Sequence, residues 1–276
     1  MKEERFFYKY IVVSKAIGDF IAFDSFLTDT EKINLKEIIY VSTNESITHF
    51  ECIDKSKFYN KNYKKTIIKP ANNIENKNIE IKKALINSYF DKNPEIERDK
   101  VLIDWNFYKN NSIQDTTIKN YSFVKEKLCE VDKFKLPNEY VSISGWTYSR
   151  AKKRVLSIKE WHEIIKTLKK YNIKGVILNN QTWHLENSWF TEILKNENCF
   201  INLIGKTTFF EAIEIVKNSK YFMGIDSCLS IIATQSLPED AIKIKSNKGS
   251  GSYKLSNYFY SNLKTKKCLV ESIKEI

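Results

Sequence analysis

The sequence is poor in glycine and proline. Seven Gly and four Pro among 276 residues exclude a collagen repeat and any low-complexity linker. No apolar run approaches the roughly 18 to 20 residues a membrane helix needs, so no transmembrane segment is expected. The N-terminus carries Glu3 and Glu4 ahead of its apolar stretch and no small-residue cleavage site. No signal peptide is therefore expected, and the cytoplasm is the expected compartment. The five cysteines, at 52, 129, 199, 228 and 268, are odd in number and form no CxxC pair. Neither a disulfide framework nor a zinc site follows from them. Three histidines, at 49, 162 and 184, make no HxxxH pattern, and no metal is expected.

Arginine is also scarce. The formal charge is +11, yet only Arg5, Arg98, Arg150 and Arg154 stand among the 45 basic residues. Lys, Asn and Ile abound throughout, the signature of an AT-rich coding sequence, so basicity alone does not identify a polyanionic partner. The lysine runs 61–69 and 264–267 read as solvated faces. What is present, 42% hydrophobic and 29% charged residues, describes a globular chain of one large or two small domains.

Tyr8 to Ser14 is a short, β-branched apolar run without alternation, as in a strand buried on both faces of a parallel sheet. Gly18-Asp19 follows, then Phe20, Phe23 and Leu27 at helical spacing, completing a βα unit. Lys36–Ser42 and Lys100–Trp105 read as two further strands, with a helix-forming stretch between them. A composition shift at 132–138, containing Pro137, marks a boundary. The expected domains are 1–136 and 137–276, with the C-terminal tail returning to the N-terminal one. Beyond the boundary the pattern predicts strands at 140–144, 175–178, 200–203, 221–225 and 241–244. Helices are predicted at 157–171, 189–195, 208–218 and 228–235. On the first of these, Ile158, Trp161, Ile164, Ile165 and Leu168 form the inward stripe. Two α/β halves with parallel sheets result.

Open parallel sheets bind ligands beyond the carboxyl ends of their strands, which directs attention to four strand-end stretches. In the first, Ser14-x-x-x-Gly18-Asp19, Asp19 is either a helix cap or a carboxylate base for an acceptor hydroxyl. In the second, Arg150, Lys152, Lys153 and Arg154 crowd four cations, among them two of the four arginines, into five residues. That is a candidate diphosphate clamp. In the third, Gly205-Lys206-Thr207-Thr208 leads into Thr208-x-x-Glu211, a capping box in its own right. In the fourth, Asp226-Ser227 caps the next helix and aims backbone amides where a phosphate would fit. Lys248–Ser252 lacks the P-loop spacing and reads as a loop. Trp105, Tyr108, Trp146, Tyr148, Trp183 and Trp189 are candidates either for sugar stacking or for the core.

Taken together, SKAIGDF, SISGWTYSRAKKRVLSIKEW and GKTTFFEAIEIVKNSKYFMGIDSCLSIIA resemble, in order and interval, the ADP-heptose:lipopolysaccharide heptosyltransferase family. The resemblance covers 8–27 and 140–235. It implies a GT-B fold, two Rossmann-like α/β/α domains facing each other across a cleft. It further implies that Asp19 is the general base and that Ser14, Lys15 and Gly18 face the acceptor. Thr147, Ser149, Arg150, Lys153, Arg154, Lys206, Thr207, Glu211, Asp226 and Ser227 would bind the donor, with Lys153 and Arg154 on the diphosphate and Glu211 on the ribose. The chain departs from the family's Asp-Ser-Gly-x-x-His by Cys228 and Ile231, and from its Trp-Pro by Val155-Leu156.

The resemblance implies an inverting, metal-independent glycosyltransferase with no cofactor beyond the nucleotide-diphosphate sugar, an ADP-sugar being favoured. The acceptor would be a saccharide such as lipopolysaccharide, and peripheral contact with a membrane is compatible with this. No DxD pair is present to hold a divalent ion with a diphosphate. Two rival readings stand beside it. The net charge admits a nucleic-acid acceptor, as for a phage enzyme glycosylating modified DNA bases, and the Cys228 and Ile231 departures admit an inactive nucleotide-sugar or glycan-binding protein.

Overall fold

The computed structural model describes residues 9–13, 35–41, 64–68, 79–103, 127–146, 155–179, 188–225 and 227–245. The chain divides into two units, Met1–Ser122 and Phe123–Ile276.

The described part of the first unit holds strands β1 (Tyr10–Val13), β2 (Glu37–Val41), β3 (Lys64–Ile68) and β4 (Val101–Ile103), with helix α1 (Ile79–Lys92) before β4. The strands are parallel in the order β3-β2-β1-β4. Every residue of β1 and β2 is buried, as an unalternating apolar run requires when both faces are covered. Val12, Ile39 and Val41 pack on Ile86 and Phe90 of α1. Strand β3 corrects the expectation of three strands in this half. It lies inside the lysine run 61–69, where Lys64 and Lys65 are indeed solvated, as befits an edge strand blunted by charge. Glu37, buried at the start of β2, fastens this edge to the centre. It accepts from Thr66 Oγ1 and, at 2.7 Å, from Tyr89 Oη of α1, and it pairs with Lys64 at 3.4 Å.

The second unit holds strands β5 (Tyr140–Ser144), β6 (Lys174–Ile177), β7 (Phe200–Asn202), β8 (Tyr221–Ile225) and β9 (Ile242–Lys245). Helices α2 (Ile158–Lys170), α3 (Ser188–Asn196), α4 (Phe209–Lys217) and α5 (Cys228–Ser236) alternate with them. All pairs are parallel, in the order β7-β6-β5-β8-β9. The order reverses between β5 and β8, and the carboxyl edge at such a switch point is where open parallel sheets bind their ligands.

Helix α2 starts at a capping box: Ser157 Oγ accepts from the Glu160 amide, and Glu160 Oε2 accepts from the Ser157 amide at 2.6 Å. Trp161, Ile164, Ile165 and Leu168 are buried, but Ile158 is 46% exposed. In the first turn the inward position belongs to Glu160, so the apolar stripe begins one turn late. Trp161 packs at 4.8 Å in a tilted contact with Phe190 of α3 and meets Phe200 of β7 edge-on, joining both helices to the sheet.

Residues 127–134, which the sequence places ahead of its boundary, bond to the second unit. The Leu128 amide donates to Glu214 Oε1 of α4 at 2.8 Å. Among the described residues no helix is long and apolar enough to cross a membrane.

Candidate functional site

Three chain segments of the second unit meet at its carboxyl edge. The first is the turn after β5. Gly145 has no room for a side chain: a Cβ there would lie 2.4 Å from Cζ2 of Trp161. Its amide donates to Asn179 Oδ1 at 2.9 Å, while Asn179 Nδ2 donates to the Trp146 carbonyl at 2.6 Å. The Leu156 amide returns to the Gly145 carbonyl at 2.8 Å, and Trp146 pairs with Val155 in an antiparallel bridge. Lys245 Nζ, at the end of β9, reaches the Val155 carbonyl at 3.4 Å and Glu160 Oε2 at 2.7 Å. Trp146 and Val155, the described residues on either side of 147–154, are thus held to each other, to Asn179 and to Lys245. Thr147, Ser149, Arg150, Lys153 and Arg154 themselves lie outside the described residues. Trp146, a candidate for sugar stacking, is 2% exposed and packs edge-on against Phe190 at 5.2 Å. It belongs to the core.

The second segment leads from β8 into α5. A Cβ on Gly224 would sit 2.6 Å from the Ser144 carbonyl oxygen, so glycine lets β5 and β8 approach at the switch point. Ser227 is the N-cap, exchanging hydrogen bonds with Ser230 in a capping box. Asp226 lies outside the described residues. Burial pushes the Cys228 thiol up to about 11, so it is neutral at physiological pH. Ile231, where the family carries His, is 7% exposed and therefore turned away from solvent.

The third segment enters α4. Gly205 adopts φ 65°, the left-handed region that glycine occupies without strain, and its amide donates to the Asn179 carbonyl at 3.0 Å. Lys206 is exposed and Thr207 half-buried. Thr208 and Glu211 form the expected capping box, with the Thr208 amide 2.7 Å from Glu211 Oε2. The other oxygen, Oε1, pairs with Lys133 Nζ at 2.5 Å. Burial raises the Glu211 carboxyl, but Lys133 and the Thr208 bonds outweigh it and hold the group below the usual carboxylate range.

Two residues of this edge escaped the sequence reading. Asn179 holds the turn after β5 with its side chain and the turn before α4 with its carbonyl. An Asn directly after the buried run GVIL was the available signal, since Asn fixes turns through its side chain. Lys133 carried no local signal.

In the first unit the strand order places the switch point between β1 and β4. The chain leaves that edge at Val13, directly before Ser14, Lys15, Gly18 and Asp19, which lie outside the described residues. Trp105, Tyr108, Tyr148 and Trp183 also lie outside them. Among the described residues no group of three or more His, Cys, Asp or Glu side chains could hold a metal ion.

Each unit carries a parallel sheet ordered about a switch point, and the chain has the GT-B fold. The family model described as glycosyltransferase family 9 (heptosyltransferase) matches residues 72–237, and the chain belongs to that family of glycosyltransferases. No curated protein matches it. Among solved structures, a family 9 glycosyltransferase from Veillonella parvula aligns at 11% identity and a TM-score of 0.53, over 99% of this chain and 96% of its own. E. coli heptosyltransferase WaaC, solved with ADP, aligns at 11% identity and 0.51, over 92% and 99%. E. coli ADP-heptose heptosyltransferase II aligns at 11% and 0.50, over 87% and 90%. At such identity these structures establish the shared fold.

Proposed function

We propose that the protein is an inverting, metal-independent enzyme that moves a heptose or hexose from a nucleotide-diphosphate sugar, an ADP-sugar in the favoured case. The acceptor is a hydroxyl of a saccharide such as lipopolysaccharide or another surface glycan, and the reaction runs in the cytoplasm. The observation that supports this reading is that Trp146 and Val155, which flank the cation-rich stretch 147–154, are bridged to each other just after β5, the strand beside the β5/β8 switch point. The WaaC structure that shares the fold was solved with ADP, which supports the choice of nucleotide.

In this reading the donor lies on the second unit. Lys153 and Arg154 hold the diphosphate, Thr147, Ser149, Arg150, Lys206, Thr207, Asp226 and Ser227 line its pocket, and Glu211 holds the ribose. Asp19, with Ser14, Lys15 and Gly18 at the acceptor, takes the proton of the attacking hydroxyl. The new C–O bond forms at the anomeric carbon as the bond to the diphosphate breaks on the opposite face. The electron pair leaves with the nucleotide, and the configuration inverts. Charge grows on the departing diphosphate, so cations beside it and amides at the start of α5 stabilise the transition state more than the ground state. These groups supply the charge stabilisation that a divalent ion would otherwise provide.

The test is thermal stabilisation by ADP-, UDP-, GDP- and CMP-sugars, followed by transfer to a saccharide acceptor with and without EDTA. A ligand that binds only the folded state adds about 2.7 kcal/mol at a hundredfold excess over its Kd. ADP-sugars are expected to stabilise most, and EDTA to leave transfer unchanged. Stabilisation by none of the four overturns the reading.

A further inference from the structure

Glu211 is engaged on both oxygens. Oε2 closes the capping box with Thr208, and Oε1 lies 2.5 Å from Lys133 Nζ. Lys133 belongs to the single 3-10 turn Asp132–Phe134, which ends at Lys135 in the left-handed region with φ 49°. The segment before that turn is also held to α4, by the Leu128 amide on Glu214 Oε1, and Glu214 is itself paired with Lys217 at 2.6 Å. The lysine side chain is 61% exposed, whereas the Glu211 side chain is 11% exposed. Its ammonium also lies 5.0 Å from the centroid of the Phe134 ring. A surface lysine is ordinarily free to swing. This one is fixed between a carboxylate and an aromatic face.

We propose that Lys133 is a specificity-determining residue of the donor site, its ammonium and the Glu211 carboxylate together reading the vicinal diol of the donor's ribose. The inference rests on the reading above, in which Glu211 holds that ribose. A carboxylate only accepts hydrogen bonds, and Oε2 is already committed to the Thr208 amide. Oε1 has two lone-pair directions, one of them facing Lys133, and the second accepts the hydrogen of one hydroxyl. The neighbouring hydroxyl oxygen then needs a donor. The ammonium has three hydrogens and spends one on Glu211, so it supplies that donor from the same spot. A nucleotide lacking one hydroxyl leaves one of these groups unmatched, and such sites reject the deficient analogue. The pairing also removes a net negative charge from the path of a diphosphate-bearing ligand. Lys133 is itself largely solvated, so its replacement takes the partner from the Glu211 carboxylate without opening the core.

The experiment is calorimetric titration of the full chain with ADP, 2′-deoxy-ADP and 3′-deoxy-ADP, with the UDP and GDP sets in parallel, on wild type, Lys133→Met and Glu211→Gln. Gln retains a capping-box side chain at the third helical position, so that variant keeps its helix start. Wild type is expected to favour a ribonucleotide over either deoxy form at least about tenfold, the scale of one charge-assisted hydrogen bond. Lys133→Met should bring the ratio for one of the two hydroxyls close to one in a protein that is still folded at the titration temperature. A Lys133→Met protein that keeps both wild-type ratios, with Glu211→Gln losing one, overturns the role of Lys133 and leaves the donor site standing. A wild type that binds the ribo and deoxy forms equally also overturns it. A wild type that binds none of the three nucleotides overturns the donor site as well.

Discussion

Lys245 Nζ lies 2.7 Å from Glu160 Oε2, joining the last strand of the second sheet to the first turn of α2. Glu160 is 5% exposed. Burial raises its carboxyl, but the Lys245 ammonium and the Ser157 hydroxyl and amide together outweigh that and hold it below the ordinary carboxylate range. The same lysine touches the Val155 carbonyl, so the pair also fixes one end of the stretch 147–154.

A carboxyl whose folded-state pKa is depressed contributes stability above its unfolded pKa and loses it as pH falls through the folded value. Lys245→Met should therefore cost about 1 to 3 kcal/mol at neutral pH, where a buried carboxylate loses its partner. The difference should shrink in acid, where Glu160 is protonated in both proteins. Urea midpoints of the two proteins across this range check it. A gap that does not change with pH contradicts the pairing.

Asn179→Ala removes the side-chain acceptor of the Gly145 amide and a donor to the Trp146 carbonyl. The expected cost is about 1 to 3 kcal/mol in denaturant unfolding. Asn179→Asp keeps an acceptor for Gly145 but sets a carboxylate oxygen against the Trp146 carbonyl, so it should also be less stable than wild type. Three equally stable proteins would show that the turn holds itself.

Gly145→Ala drives a methyl group into the Trp161 indole, which is hemmed in by Phe190 and Phe200. Overpacking of this kind costs about 1 to 3 kcal/mol and should alter the near-ultraviolet circular dichroism of the tryptophans. Gly224→Ala meets a backbone oxygen of Ser144, which has no rotamer to escape into, so it should cost more. The reverse ranking would mean that β5 and β8 separate more easily than α2 repacks.

Asp19→Asn should retain donor binding and lose nearly all transfer, and an unimpaired rate removes Asp19 from its proposed role. Lys153→Ala should weaken nucleotide binding by roughly 1.5 to 3 kcal/mol, as for a charge-assisted contact. Calorimetry that shows unchanged affinity counts against the clamp.

The elements that the sequence made legible are those whose burial is written locally. Strand β8 runs from Tyr221 to Ile225 as the apolar run predicts, and the capping box at Thr208 stands where its spacing places it. Strand β3 was hidden because an edge strand needs little apolar surface, and its lysines read as solvent-facing whether or not they lie on a strand. Ile158 was misplaced because helical spacing cannot foresee that Glu160 takes the inward position of the first turn. Of the aromatic candidates, Trp146 shows why composition could not separate sugar platform from core, since its position under Phe190 depends on how α3 returns to the sheet. The Lys133–Glu211 pair joins two segments remote in sequence, and no periodicity announces it.

The attachment of residues 127–134 to α4 decides where the chain can be cut. A C-terminal fragment that begins at Pro137 would strip Glu211 of its cation and Glu214 of the Leu128 amide, exposing two carboxylates that the intact protein shelters. One that begins at Phe123 carries both contacts with it. Whoever severs the halves to study the C-terminal one in isolation has to leave this strap on it.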